Sequence, residues 1–272
     1  MPQWAGLALD RPRIMGILNV TPDSFSDGGR YPDAASAIAA GLAMRVAGAD
    51  IVDVGGESTR PGATPVAPEE EQARVLPVIR ALAREGVLVS ADTRNAATMR
   101  AALDAGARIV NDVSALAHDP LSADVLAAST CGVVLMHMRG TPATMHRFAE
   151  YHDVAGEVAA ELTARVAFAE RAGIARARIA VDPGFGFAKQ PAQSVELLRR
   201  LGVVAALGLP LVVGLSRKGF IGRLADEPKA AARDAGSLAA GLFALSRGAS
   251  ILRVHDVPAT RRALNVWHIL NS

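Results

Sequence analysis

RIVNDVSALAHDPLSADVLAASTCGVVLMHM, residues 108–138, holds one complete structural repeat. It opens on a short apolar, β-branched run (108–113) that reaches the polar pair Asn111 and Asp112. An Ala-rich, helix-like segment follows (119–129), and a second apolar run (133–138) ends near His137. A short strand, a helix and another short strand in that order make a βαβ unit, whose two strands run parallel.

The same unit recurs in both directions. Strand-like runs stand at 14–20, 50–54, 87–91, 108–113, 133–138, 178–181, 211–215 and 250–254. Helix-like segments fill the gaps at 33–48, 68–85, 95–105, 119–129, 154–172, 192–207, 230–247 and 257–270. Consecutive βα units of this number close most simply as a (β/α)8 TIM barrel of the α/β class. Pro68 followed by Glu69, Glu70 and Glu71 places a proline and carboxylates in a first helical turn. Gly48, Gly86, Gly106 and Gly173 stand where helices should end. No Pro- or Ser-rich linker and no shift in composition divides the 272 residues, so 1–272 reads as one domain.

Half of the residues are apolar and only 4% aromatic, which suits short helices packed closely on a sheet of small side chains. The 29 basic and 27 acidic residues are interspersed and leave a formal charge of +2, so there is no basic patch for nucleic acid. Residues 1–10 lack an apolar core behind a basic start, and no apolar run is long enough to cross a bilayer. Cys131 is the single cysteine and cannot form an intrachain disulfide. These features fit a cytoplasmic protein in a reducing compartment.

A closed parallel barrel buries its strands on both faces, so polar residues at strand ends need a reason. In strand order they are Asn19; Asp53 and Glu57; Asp92; Asn111 and Asp112; His137; Asp182; Ser216, Arg217 and Lys218; and Arg253, His255 and Asp256. Singly, Asp53, Asp112 or Asp256 could cap a helix or hold a loop. Together they converge on the C-terminal mouth, where barrels of this kind build their sites. Asp92, Asn111 and Asp182 offer acceptors and donors suited to a flat heterocycle with several N–H and C=O groups, and Lys218 adds a donor. Arg253 and His255, with Ser216 at the expected start of a helix after the seventh strand, make an anion site where barrels commonly hold phosphate. The loops TPDSFSDGGR (21–30) and ESTRPGATP (57–65), with Phe25 and Arg60 as bulky members, read as lids over the same mouth. GFGFAK from Gly184 lacks both the dinucleotide fingerprint and the Lys-Ser/Thr ending of a phosphate loop. The spacing of His137, His146 and His152 matches no zinc pattern.

Nine segments, in order, resemble the dihydropteroate synthase family over almost the whole chain. They are GILNVTPDSFSDGG from Gly16, DVGGESTRPGA from Asp53, SADT from Ser90, NDVSA from Asn111, LMHMRGTP from Leu135, DPGFGFAK from Asp182, GLSRKGFIG from Gly214, AGSLAA from Ala235 and RVHDV from Arg253. The resemblance implies a transferase of folate biosynthesis that condenses 6-hydroxymethyl-7,8-dihydropterin diphosphate with p-aminobenzoate, giving 7,8-dihydropteroate and pyrophosphate. It also implies a homodimer and a need for Mg2+. By similarity Asp92, Asn111, Asp182 and Lys218 bind the pterin, Met136, Gly214 and Phe187 line its slot, and Arg253 stacks along the ring. Asn19, Arg253 and His255 would hold the diphosphate, with Mg2+ on Asn19 and Asp27. Phe25, Thr59, Arg60, Pro61, Phe187, Ser216 and Lys218 would surround p-aminobenzoate, in the pocket that sulfonamides also occupy. Pyrophosphate leaves first in this family pattern, and the aniline nitrogen attacks the resulting pterin-methyl cation. The catalytic weight then falls on Asp92, Lys218, Arg253 and His255, which act electrostatically. Ala188, Ser194 and Ala91 depart from the glycine, asparagine and valine usual in the family. Two alternatives are a catalytically silent pterin-binding homologue and a methyltetrahydrofolate–corrinoid methyltransferase. The TPDSFSDGG, SRK and RVHDV segments, which serve a diphosphate, speak against the second.

Overall fold

The computed structural model describes residues 3–21, 34–58 and 66–271. Its strands are β1 (Arg13–Asn19), β2 (Ile51–Gly55), β3 (Val89–Asp92), β4 (Ile109–Asp112), β5 (Gly132–Met136), β6 (Ile179–Asp182), β7 (Val212–Val213) and β8 (Ile251–Val254). All pair in parallel, in the order β6-β5-β4-β3-β2-β1-β8-β7. A bridge between Val181 and Leu211, with the Val181 amide 2.9 Å from the carbonyl of Pro210, joins β6 to the start of β7 and completes the ring. Outside it run α1 (Ala34–Val46), α2 (Pro68–Arg84), α3 (Ala96–Asp104), α4 (Ser122–Ala127), α5 (Val154–Arg171), α6 (Pro191–Arg199), α7 (Gly202–Ala205), α8 (Gly219–Leu224), α9 (Asp234–Leu245) and α10 (Val257–Leu270). The sequence expectation of a (β/α)8 barrel holds.

Alternate strand residues face outward and pack on the helices. Leu18, Val52 and Val54, for example, share a core with Val75, Val78, Ile79 and Leu82 of α2. Helices stop at Gly48, Gly86, Gly106 and Gly173, all in the left-handed region with φ between +71° and +108°. Three stretches differ from expectation. The helix expected at 192–207 is two helices, α6 and α7, broken at Arg200, where φ is −103°. The helix expected at 230–247 begins as a 3-10 turn, Ala230–Ala232, before α9 takes over. The short helix α8 follows β7 as expected but starts after Lys218 rather than at Ser216.

The inward-facing residues nearest the strand starts close one end of the barrel. Met15, Ile51, Ile109, Val134, Ala180, Val212 and Ile251 form one buried cluster, one from each strand but β3, with Leu88 just before β3 packed against it. Trp4 completes this floor. It is brought there by an N-terminal hairpin, Gln3–Trp4 with Leu7–Ala8, whose turn residues Ala5 and Gly6 both have positive φ. The indole Nε1 donates to the carbonyl of Arg178 at 2.8 Å. Gly132 makes room for the plug, since a Cβ there would lie 2.7 Å from Cβ of Ala5. Trp4→Ala should cost about 3–5 kcal/mol of stability by leaving a cavity under the barrel. Urea unfolding measures the loss; one below about 1 kcal/mol would mean that the floor holds without its plug.

Candidate active site

An extended chain returns a side chain to the same face every second residue. Two steps beyond the floor residues, the interior therefore receives Ile17, Asp53, Ser90, Asn111, Met136, Asp182, Gly214 and Arg253. Another two steps reach Asn19 and Asp92 on their strands and Ser216 and His255 on the loops beyond theirs. One apolar layer thus carries a polar layer at the C-terminal mouth.

Arg253 organises that layer. Its Nε donates to Asp53 Oδ2 and its Nη2 to Asp92 Oδ2, each at 2.6 Å. Asp53 is fully buried, and its Oδ2 also accepts from Asn111 Nδ2 at 3.1 Å. Burial works against the Arg253 cation, but the two carboxylates outweigh it and its pKa is raised. Burial likewise pushes the Asp92 carboxyl up, against the pull of Arg253 and with help from Asp53. Asp182 is pushed up by burial, although its Oδ1 accepts the Gly184 amide at 2.7 Å. Lys218 is drawn down to about 8 by burial and then by Arg253, with Asp182 and Asp92 pulling it back. Its Nζ lies 4.3 Å from the ring centroid of Phe187, a cation over an aromatic face. Gly214 keeps this space open: a Cβ there would stand 3.7 Å from Asp182 Oδ2.

Ser216 was expected to begin a helix, yet α8 begins after Lys218. The Ser216 hydroxyl instead lies 2.9 Å from Nδ1 of His255 and accepts the His255 amide at 3.2 Å, joining the loops after β7 and β8. Arg217, at φ +59°, is held by paired 2.8 Å bonds to both Asp234 oxygens, while its amide donates to Ser237 Oγ at 2.9 Å. His255 is drawn down to about 4, chiefly by burial and then by Arg217 and Arg253.

The structure therefore brings Asp92, Asn111, Met136, Asp182, Phe187, Gly214, Ser216, Lys218, Arg253, His255 and Asn19 to one end of the barrel. Phe25, Asp27, Thr59, Arg60 and Pro61 lie outside the described residues, as does most of both lid loops. Glu57 bonds Arg94 at 2.9 and 3.1 Å and accepts the Val66 amide at 3.2 Å, so it ties together the residues flanking 59–65. Asp112 and Asp256 follow the plain reading. Asp112 accepts from Ser114 and Leu116, and Asp256 caps α10 through the Ala259 amide. His137 bonds Glu161 and Lys189. Asp53 is legible in the sequence as a residue of the mouth, but its grip on Arg253 and Asn111 is not, because only closure of the ring brings β2, β4 and β8 together.

Residues 15–255 match the model of the pterin binding enzyme family. The dihydropteroate synthase of Neisseria meningitidis serogroup C is 50% identical over 268 residues, covering 97% of this chain and 94% of that one. Among solved structures, the Xanthomonas albilineans dihydropteroate synthase with 4-aminobenzoic acid superposes with a TM-score of 0.93 at 49% identity, covering 98% of this chain and 97% of that one. The same organism's enzyme in complex with 7,8-dihydropteroate gives a TM-score of 0.89 at 47% identity, covering 98% and 96%.

The electrostatics of this mouth can be read directly by NMR, where the His255 imidazole should titrate with a midpoint near 4. Its folded value lies below the unfolded one, so between the two the unfolded chain binds the extra proton. The stability tied to His255 is therefore lost as the pH falls from about 6.5 toward 4, and His255→Gln should flatten that part of the stability profile. A midpoint in the ordinary histidine range would show that neither burial nor the neighbouring Arg217 and Arg253 hold the ring down.

Proposed function

The chain belongs to the pterin binding enzyme family, and from that premise we propose that it works as a dihydropteroate synthase, a transferase of folate biosynthesis. The observation that carries the reading is the Arg253 guanidinium held between Asp53 and Asp92 above an apolar floor, with Lys218 and Asp182 beside it. Such a rim can grip the polar edge of a flat heterocycle and leave a cation facing its anionic tail. The whole span 1–272 serves as one pterin-binding unit.

In this reading Asp92, Asn111, Asp182 and Lys218 hold the pterin edge, with Met136, Phe187 and Gly214 along its slot. Asp182 suits the paired N–H groups of an aminopyrimidinone ring, because a carboxylate accepts two parallel hydrogen bonds. Arg253 lies along the ring, and together with His255 and Asn19 it meets the diphosphate. The bond between the pterin methylene and the diphosphate oxygen breaks, with the electron pair leaving on oxygen. The aniline lone pair of p-aminobenzoate then forms the new C–N bond, and that nitrogen releases a proton. Asp92 stabilises positive charge spreading into the pterin, while Arg253 and His255 stabilise the departing anion. Phe187, Ser216 and Lys218, with Phe25, Thr59, Arg60 and Pro61, make the side that receives p-aminobenzoate or a sulfonamide.

A magnesium ion fits the donor chemistry. Among the described residues no group of three or more His, Cys, Asp or Glu side chains could hold a resident metal, so a cation here would lean on substrate oxygens. Asn19 offers a neutral, hard oxygen at the end of β1, and Mg2+ is commonly held by one or two protein oxygens plus phosphates. Asn19 and Asp27 would hold it, and when bound it would neutralise charge on the leaving pyrophosphate. A homodimer is supported by large apolar side chains exposed late in the chain, Phe243 on α9 and Val266, Ile269 and Leu270 on α10. Cytoplasmic residence is supported by the lone, buried Cys131. No helix among the described residues is long and apolar enough to cross a membrane.

The purified chain, given dihydropterin diphosphate, p-aminobenzoate and Mg2+, should release pyrophosphate and dihydropteroate together. Asp92→Ala or Lys218→Ala should lower turnover about a hundredfold or more while leaving the fold intact by circular dichroism. Asp53→Asn, which weakens the grip on Arg253 without touching substrate, should cost about tenfold. Tight pterin binding without pyrophosphate release would mark a silent homologue, and wild-type rates in both alanine variants would overturn the assignment of the rim.

A further inference from the structure

The turn after β6, residues 182–189, carries two of the proposed substrate groups, Asp182 at its start and Phe187 near its end. Its backbone is unfavourable. Ala188 has φ +48°, a left-handed conformation that costs any residue with a Cβ. Gly184 has φ +66° and lies so close to β5 that a Cβ would meet the His137 carbonyl oxygen at 2.0 Å. A turn folded this way needs something to hold it.

Lys189 supplies the hold from beneath. Its Nζ is buried and donates to the carbonyls of Gly184 at 3.1 Å and Phe187 at 3.0 Å, and it lies 2.9 Å from Nδ1 of His137. On the far side of the imidazole, Nε2 lies 3.0 Å from Glu161 Oε2, on α5. A carboxylate only accepts, so Nε2 carries the hydrogen and Nδ1 is the acceptor for Lys189. All three ammonium hydrogens then have partners. Burial draws His137 down to about 4, which keeps the ring neutral for that task. Burial also draws Lys189 down to about 7, against the pull of Asp182 and Glu161. Arg139 anchors the outer end, with its Nε 2.9 Å from Glu161 Oε1, its Nη2 2.8 Å from Glu157 and its guanidinium 3.9 Å from the Tyr151 ring centroid.

We propose that Lys189 is a positioning residue: with His137 and Glu161 it ties the strained turn 182–188 to β5 and α5, and so fixes the Asp182 carboxylate and the Phe187 ring for both substrates. The inference rests on the proposed synthase activity. Lys189 itself touches neither substrate, because its ammonium is spent on the turn's own carbonyls and on His137. Its loss therefore weakens binding of ground state and transition state alike.

Lys189→Met removes the donors and keeps the length. KM for both substrates should rise about tenfold or more, with kcat changed by less than about threefold. Adding Ala188→Gly, which removes the left-handed cost, should recover much of the KM, an effect that a merely destabilised core would not show. Lys189→Gln, which keeps two donors, should fall between wild type and Lys189→Met and covers the case in which the methionine variant does not fold. A crystal structure of either variant gives a readout apart from turnover: Ala188 leaves the left-handed region and Phe187 leaves the Lys218 ammonium. Unchanged KM values in a folded variant, or an unchanged turn, overturn the proposal. A wild-type chain that makes no dihydropteroate would refute the functional reading instead, and the variant structure would still decide the role of Lys189.

Discussion

Everything at the mouth depends on a strand's period of two acting inside a closed ring. Once Trp4, Met15, Ile51 and their neighbours seal the floor, every inward residue two steps further on is committed to the interior, whatever its polarity. At Asp53, Asn111, Asp182 and Arg253 that commitment falls on polar groups, and burying a charge is costly unless it is paired. The 2.6 Å bonds of Arg253 to Asp53 and Asp92 are thus a condition for keeping ions there at all. A buried ion pair adds little net stability compared with apolar packing, so its value is geometric. The guanidinium is fixed from two strands, and with Asn111 tied to the same Asp53 oxygen, groups from β2, β4 and β8 are joined in one network.

Residues past the strand ends lack that constraint and are pinned one by one. Asp112 folds the turn after β4, where Ala115 and Leu116 both have positive φ. Asp234 holds Arg217, Ser216 meets His255, and Glu57 with Arg94 fixes the flanks of the second lid segment. Each pin is a charged or hydroxyl side chain bonded to loop backbone or to an ion partner on another element. Electrostatic catalysis needs donors and acceptors already in place before charge develops, since reorganising them during the reaction would consume the gain. Among the described residues, the loops after β4, β7 and β8 each have such a bond already in place.

The eight strands and most of the mouth were legible in the sequence because both signals are local. An apolar run followed by a polar residue marks a strand and its end, and Gly48, Gly86, Gly106 and Gly173 mark helix stops. The N-terminal hairpin was not legible. Its strands have two residues each, and its Ala5-Gly6 turn lacks the Asn or Asp that usually advertises such a turn. The break between α6 and α7 comes just before Gly202, a poor helix former that a reading by apolar period alone passes over. Asp53 read as a possible cap because its partners lie 200 and 58 residues away, and Lys189 read as the end of a motif because His137 and Glu161 come to it only through packing. Two departures from the family pattern gain physical meaning only from coordinates. Ala188 occupies a left-handed position that suits glycine, and Ser194 leaves a buried hydroxyl without a side-chain or backbone partner.

The charge states of the free site show which of its groups an anionic substrate can still change. Arg253 is already balanced by Asp53 and Asp92, His255 is drawn to about 4 and Lys218 to about 8. Burial holds the last two down, and Arg253 adds to it by repulsion. A diphosphate arriving beside them supplies the opposite charge, which favours the protonated form of both groups. The imidazole can then gain a proton, and the Lys218 ammonium is held in its charged form, where the leaving oxygen develops negative charge. Arg253 and Lys218 thus carry their charge before the anion arrives, balanced by Asp53, Asp92 and Asp182, and it is His255 that still has a charge to take up when the anion is present.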